Sequence, residues 1–198
     1  MAISQGYTTL SEVKAILRIT DEVDDSLLET CIEASSRQID THCERVFTTG
    51  TATRVFTPDG AYRTTIDDLI SITSLKTSSA ADSVFDVTWE TTDYQLEPLN
   101  GLAGGSYSPY TSIRAVGDYT FPTVSEEATV ELTGVFGYGT AVPTDVKQAC
   151  NLMAIRQYKR YDSPLGVAGF GDIGVIRVSR VDPDIESLLA PYRKIRYA

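Results

Sequence analysis

Residues 40–56 read DTHCERVFTTGTATRVF, and within them the chain changes its period. Up to Cys43 they continue a helical pattern. From about Thr48 the composition turns to Thr, Val, Ile and Tyr punctuated by Gly, Pro, Asn and Asp, the signature of short strands joined by turns. The switch predicts an α+β fold, with a helical core and an inserted antiparallel β domain.

Upstream, Thr9-Leu-Ser-Glu12 has capping-box spacing, and Leu10, Val13, Ile16 and Leu17 follow at helical intervals, which predicts a short helix to about Arg18. A longer helix comes next. Asp21, Glu22, Asp24 and Asp25 crowd its expected first turn, where negative charge complements the helix dipole. Val23, Leu27, Leu28, Cys31, Ile32, Ser35 and Ile39 mark a single face, so this helix must pack on a partner.

Downstream, Arg54 to Arg63 predicts a hairpin around Pro58-Asp59-Gly60. Ile70 and Ile72, Phe85 to Trp89, Tyr94 and Leu96, and Val130 and Leu132 alternate with polar residues, as half-buried antiparallel strands do. Asn100 to Pro109, rich in Gly and Ser, reads as a loop. Helical spacing returns after Pro143 with the stripe Val146, Ala149, Cys150, Met153 and Ala154, ending near Asp162-Ser-Pro164. A last helix starts at Asp182-Pro183-Asp184, with Ile185, Leu188 and Leu189 as its apolar face, and Pro191 stops or bends it. The expected division is 1–49 for the N-terminal helices, 50–142 for the β insertion and 143–198 for the long helix, Gly-rich connector, last helix and basic arm. The first and third of these form one helical domain.

The formal net charge of -10 makes the average surface repel phosphate, which disfavours tight DNA binding. Residues 1–49 carry nine acidic against four basic side chains, whereas the last six, Arg-Lys-Ile-Arg-Tyr-Ala, carry three bases and no acidic side chain. No run approaches the roughly 18 apolar residues that span a bilayer. The opening residues lack a signal-peptide pattern, so folding in a cytoplasm is expected.

Cys31, Cys43 and Cys150 form no C-x-x-C pair and fit reduced thiols. Cys31 and Cys43 stand about 18 Å apart along one helix, beyond disulfide reach. His42 is the only histidine, and as a helical neighbour of Cys43 it points about 100° away from it, which gives no ready metal site.

Gly169 to Gly174, GFGDIG, matches the dinucleotide pattern letter for letter, but a helix precedes it and the extended Val-Ile-Arg-Val follows, the reverse of the order a phosphate nest needs. These glycines are expected to serve a long connector that bends close to neighbouring subunits, with Gly166, Gly169, Phe170, Gly171, Gly174, Val175 and Ile176 as its contact loop. The extended stretch Val175 to Val178 is expected to add an edge strand to an adjacent copy. Neither catalytic nor metal residues stand out, no cofactor is expected, and the chain reads as a non-enzyme.

The string AVPTDVKQACNLMAIRQYKRYDSPLGVAGFGDIGVIRVSRVDPDIESLLAPYRKI resembles the carboxy-terminal half of the head-to-tail connector (adaptor) proteins of long-tailed bacteriophages. TTLSEVKAILRITDEVDDSLLETCIEASSRQID is similar to that family's opening, and DDLISITSLKTSS through TTDYQLEP is similar to the β insertion of its longer members. The resemblance implies a structural virion protein forming a homo-oligomeric ring of about twelve copies. It would sit at the neck beneath the portal protein, contact a stopper or tail-completion protein, and pass double-stranded DNA transiently without sequence preference. Assembly would take place in the host cytoplasm, and no membrane is implied. The basic strip Tyr192, Arg193, Lys194, Ile195, Arg196 and Tyr197 is expected to be the portal-binding arm, whose removal would leave folding unchanged. The competing reading is a carbohydrate-binding or other ligand-binding module built on Trp89, Tyr107, Tyr110 and Tyr119 of the β insertion.

Overall fold

A computed structural model describes residues 6–80, 84–101, 108–123, 127–162, 167–168, 176–177 and 182–194. The fold is α+β, in two compact units: one drawn from Met1–Arg45 and Val142–Ala198, the other from Val46–Ala141.

In the helical unit, α1 (Leu10–Leu17) starts on Thr9, whose hydroxyl accepts from the Glu12 N–H while the Glu12 carboxylate accepts from the Thr9 N–H, the reciprocal capping box its sequence predicts. The long helix α2 (Asp25–Cys43) begins later than its acidic run suggested. Val23 therefore falls in the preceding turn, its N–H on the Asp21 side chain at 3.2 Å, and is 86% exposed instead of packed on the apolar face. The rest of that face behaves as expected: Leu28, Cys31, Ile32, Ser35 and Ile39 are buried.

Helix α3 (Thr144–Asp162) packs on α2 through Val146, Ala149, Cys150 and Ala154, all buried. Small side chains let the two backbones approach. The Ser36 hydroxyl donates to the Ile32 carbonyl at 2.8 Å, accepts the Tyr7 N–H at 3.0 Å and lies 3.5 Å from the Cys150 Sγ. Polar clamps fix the amino-terminal end: Thr8 bonds Asn151 at 2.6 Å, and Lys147 pairs with Glu12 at 2.5 Å. A short α4 (Pro183–Leu189) follows on an Asp182 N-cap, and the chain then turns through one 3₁₀ segment, Ala190–Tyr192.

The β unit is a six-stranded antiparallel sheet. Its strands are β1 (Gly50–Phe56), β2 (Arg63–Thr77), β3 (Val87–Trp89), β4 (Tyr94–Glu97), β5 (Tyr110–Ala115) and β6 (Val130–Phe136). The order is β1-β6-β2-β5-β4, with β3 on β2. The hairpin expected over Arg54 to Arg63 is corrected here, because β6 lies between β1 and β2. The turn itself forms, with Asp59 accepting the Thr65 N–H and hydroxyl at 2.7 and 2.6 Å and Gly60 bridging Arg63, but the flanking strands part. Strand β6 takes the inner place, paired with β1 along one edge and β2 along the other, and its Val130, Leu132, Gly134 and Phe136 are buried with the residues between them half-buried. The core gathers Ile66, Leu69, Leu75, Trp89, Ile113, Phe121, Leu132 and Phe136.

A separate two-stranded sheet, β7 (Val167–Ala168) and β8 (Ile176–Arg177), pairs Val167 with Arg177 and Ala168 with Ile176. These two short strands are the only part of the expected connector that lies within the described residues. Among the described residues, no helix is long and apolar enough to cross a membrane.

Candidate functional site

The residues singled out from the sequence fall in two places. Of the basic strip, Tyr192, Arg193 and Lys194 are described, and Ile195, Arg196 and Tyr197 lie outside the described residues. The 3₁₀ turn after α4 carries the strip back across the helix ends. The Lys194 N–H donates to the Cys43 carbonyl at 2.9 Å, and the Tyr192 hydroxyl donates to Asp145 at 3.2 Å, in the first turn of α3.

Cys43 closes α2, whose cap residue Glu44 adopts the left-handed conformation, so the bond from Lys194 fills one of the carbonyls that a helix end leaves open. Arg45 and Arg193 stand near enough to act on the Cys43 thiol. Burial pushes that thiol up to about 11, the two arginines pull it back, and Asp40 pushes it further up. Positive charge at this end also complements the dipole of α2. The first half of the expected arm is therefore bound into its own helical unit. Cutting the chain before Tyr192 would remove these two hydrogen bonds from the helical unit.

Of the expected contact loop, Gly166, Gly169, Phe170, Gly171, Gly174 and Val175 lie outside the described residues, and Ile176 is the first residue of β8.

Two surfaces were not legible beforehand. A groove of about 350 Å³ runs among α2, α3 and α4, with Met153, Ile185 and Leu189 in its lining, and Gln38, His42 and Arg160 also line it. Arg156 reaches Asp182 at 3.7 Å, and Gln157 donates to Gln38 at 3.3 Å. The groove draws on three elements far apart in the chain, so no local pattern announces it. The second surface is the outer edge of β1, which pairs along its whole length with β6 and on its other side with no strand among the described residues.

Of the aromatic residues proposed as a platform, Tyr119 is 48% exposed, whereas Trp89 lies in the core. It is only 6% exposed, its indole N–H donates to the Thr77 hydroxyl at 3.0 Å, and its ring stacks on Phe121 at 4.8 Å with Tyr119 beside it at 5.5 Å. Tyr110 packs half-buried against the same core, and Tyr107 lies outside the described residues. Cys31, Cys43 and Cys150 are free and buried. Among the described residues, no three His, Cys, Asp or Glu side chains gather as metal ligands.

Residues 7–85 match the family model of phage gp6-like head-tail connector proteins. Among solved structures, a chain from the neck of an empty GTA particle computed with C6 symmetry aligns over 100% of this chain and 95% of its own, at 17% identity and a TM-score of 0.63. A chain from the neck of a native GTA particle computed with C12 symmetry covers 100% and 94% at 18% identity and a TM-score of 0.58. One from the virion of a native gene transfer agent particle covers 100% and 95% at 18% identity and a TM-score of 0.57. No curated protein matches. The resemblance to head-to-tail connector proteins read from the sequence is borne out by the match over residues 7–85, and the likeness in fold to the neck chains extends over both units.

Proposed function

We propose that this chain is the subunit of a head-tail connector, a structural virion protein of the neck that assembles as a ring of about twelve copies beneath the portal. In this reading the ring joins the DNA-filled head to a stopper or tail-completion protein and forms part of the conduit through which DNA passes. The observation that carries it is the reach of the connector family match, residues 7–85, which runs from α1 through α2 into the β unit and past the end of β2. It takes in helices and strands alike. The full-length likeness to neck chains from particles of C6 and C12 symmetry supports the same reading.

The charge pattern suits a conduit. At -10 per copy the walls hold DNA weakly, because the counterion release that drives retention needs basic surface. The role is mechanical, so packing surfaces take the place of catalytic groups. The strip from Tyr192 to Tyr197 is assigned to portal contact, with Tyr192 and Lys194 bonded to the helical unit. The assignment of the whole strip, Ile195, Arg196 and Tyr197 included, rests on residue type, since Tyr and Arg most often dominate interface energies. The segment from Gly166 to Ile176 is assigned to contacts between copies.

Averaged electron micrographs of the protein mixed with the portal protein of its own phage test this. Rings seated on the portal are expected from the intact chain. A chain ending at Lys194 should fold with an unchanged helical signal and lose portal binding at least about tenfold, whereas one ending at Pro191 should also lose stability. Failure of the intact protein to form rings with portal present would overturn the connector reading. Unaltered portal binding by the chain ending at Lys194 would overturn the role of the arm alone.

A further inference from the structure

The six-stranded sheet has short edges at β4, of four residues, and β3, of three, and one long edge at β1, of seven. Long open edges are normally blunted by lysine, proline, a bulge or an inward charge, because their unpaired N–H and C=O groups are a template for another strand. Strand β1, GTATRVF, has none of these on its open side. Its register with β6 is continuous from Gly50 to Phe56, without a bulge. Its one charge, Arg54, lies over the Phe136 ring at 4.2 Å and bonds Asp67 at 2.7 Å, so it is engaged within the unit. Thr51, Thr53 and Val55 stand exposed.

The same chain carries a strand in the converse state. Among the described residues β7 and β8 pair only with each other, and a two-stranded ribbon is marginal in water until a third strand or a packed face covers it. Charge favours the pairing of this ribbon with β1 of another copy. Residues 46–141 hold twelve acidic and four basic side chains. All four bases are matched within the unit, Arg54 to Asp67, Arg63 and Arg114 to Glu97, and Lys76 to Glu131. The run from Ile173 to Val181, IGVIRVSRV, has two arginines and no acid. Pairing of β1 with β1 would instead press two acidic units together and close as a two-fold dimer, whereas ribbon on edge is a heterologous contact that repeats around a ring.

We infer that the open edge of β1 in one copy receives strand β8 of the neighbouring copy, so that the six-stranded sheet continues across the subunit boundary. This rests on the ring assembly proposed above and assigns it a contact.

Hydrogen exchange on the full-length protein, as a dilute monomer and as rings formed on the portal and verified by micrograph, tests the inference. Amides of Gly50–Phe56 should exchange at least about tenfold more slowly in the ring, while those of the inner strand β6 change little. Mixing two singly substituted chains, Thr53→Cys and Ile176→Cys, should give a disulfide between them under mild oxidation. Rings whose β1 amides exchange as in the monomer overturn the edge contact and leave the ring reading standing. Thr53→Cys homodimers point to β1 on β1 and also overturn it. A doubly substituted chain that cross-links only within itself does so as well, since its own ribbon then fills the edge. Absence of any ring removes both readings together.

Discussion

Glu12 shows how single residues tie the helical unit together. Its carboxylate serves the capping box of α1 and also meets Lys147 of α3, and with both side chains 38% exposed the pair sits at the rim of the unit. Its pKa is lowered to about 2, first by Lys147, against an opposing push from burial, with help from Thr9 and Thr8. The folded value lies below the ordinary 4.5, so the stabilisation is fully present above about pH 4.5 and is lost as pH falls toward about 2. Glu12→Gln should therefore flatten the fall of unfolding free energy across that window in urea titrations. At pH 7 the loss should stay within about 1 kcal/mol, because solvent screens an exposed pair. An unchanged slope between pH 4.5 and 2 would show that Glu12 is not the group responsible.

At the scale of elements, the crossing of β2 by β6 depends on a glycine. A Cβ on Gly134 would lie 2.4 Å from the Ser71 carbonyl oxygen and 3.0 Å from a methyl of Leu69, beside the places where the β2 register shifts. The obstructing atom is backbone and cannot rotate away, so Gly134→Ala should cost about 1–3 kcal/mol in thermal or denaturant unfolding. Gly50→Ala, where nothing lies within 4 Å, should cost almost nothing. Equal stability of the two variants would remove the close approach as a constraint. Elements were legible in the sequence where one face decides them. The capping box at Thr9, the stripes of α2 and α3 and the Asp182 cap all carry their signal within a turn or two. Strand β5 did not, because Tyr-Thr-Ser-Ile-Arg-Ala beside a Gly/Ser loop has weak alternation of its own and is fixed by β2 and β4 on its two sides. The false hairpin at Pro58-Asp59-Gly60 arose likewise: local turn chemistry was read correctly, but pairing is decided by a strand more than seventy residues away. The basic strip was legible as composition, whereas the bonds of Lys194 to Cys43 and Tyr192 to Asp145 needed the helix ends to meet.

The whole molecule divides its charge as it divides its fold. Residues 46–141 hold twelve of the 27 acidic side chains and only four of the 17 basic ones, so the β unit carries eight of the ten net negative charges and the helical unit is close to neutral. The β unit is also closed at its own root. The Tyr138 N–H donates to the Val46 carbonyl at 3.1 Å, the rings of Phe47 and Tyr138 lie 5.3 Å apart, and Gly50 pairs with Phe136 just beyond. Entry and exit strands that are hydrogen-bonded neighbours leave a gap that a few residues can bridge, as in tolerated domain insertions. The helical unit keeps its own buried set, Val13, Leu28, Cys31, Ile32 and Ala154, without any residue of the insertion. Residues 46–141 expressed alone should therefore unfold cooperatively with Trp89 buried. A chain in which they are replaced by Gly-Ser-Gly should keep the helical circular dichroism of α2 and α3. Relieved of most of the acid, that shortened chain should also be retained less weakly by double-stranded DNA at low salt than the intact protein, with the difference closing as salt rises. Loss of helical signal on excision would mean that the helical unit depends on the insertion for its fold, and equal DNA retention would show that the acid of the β unit does not set the repulsion.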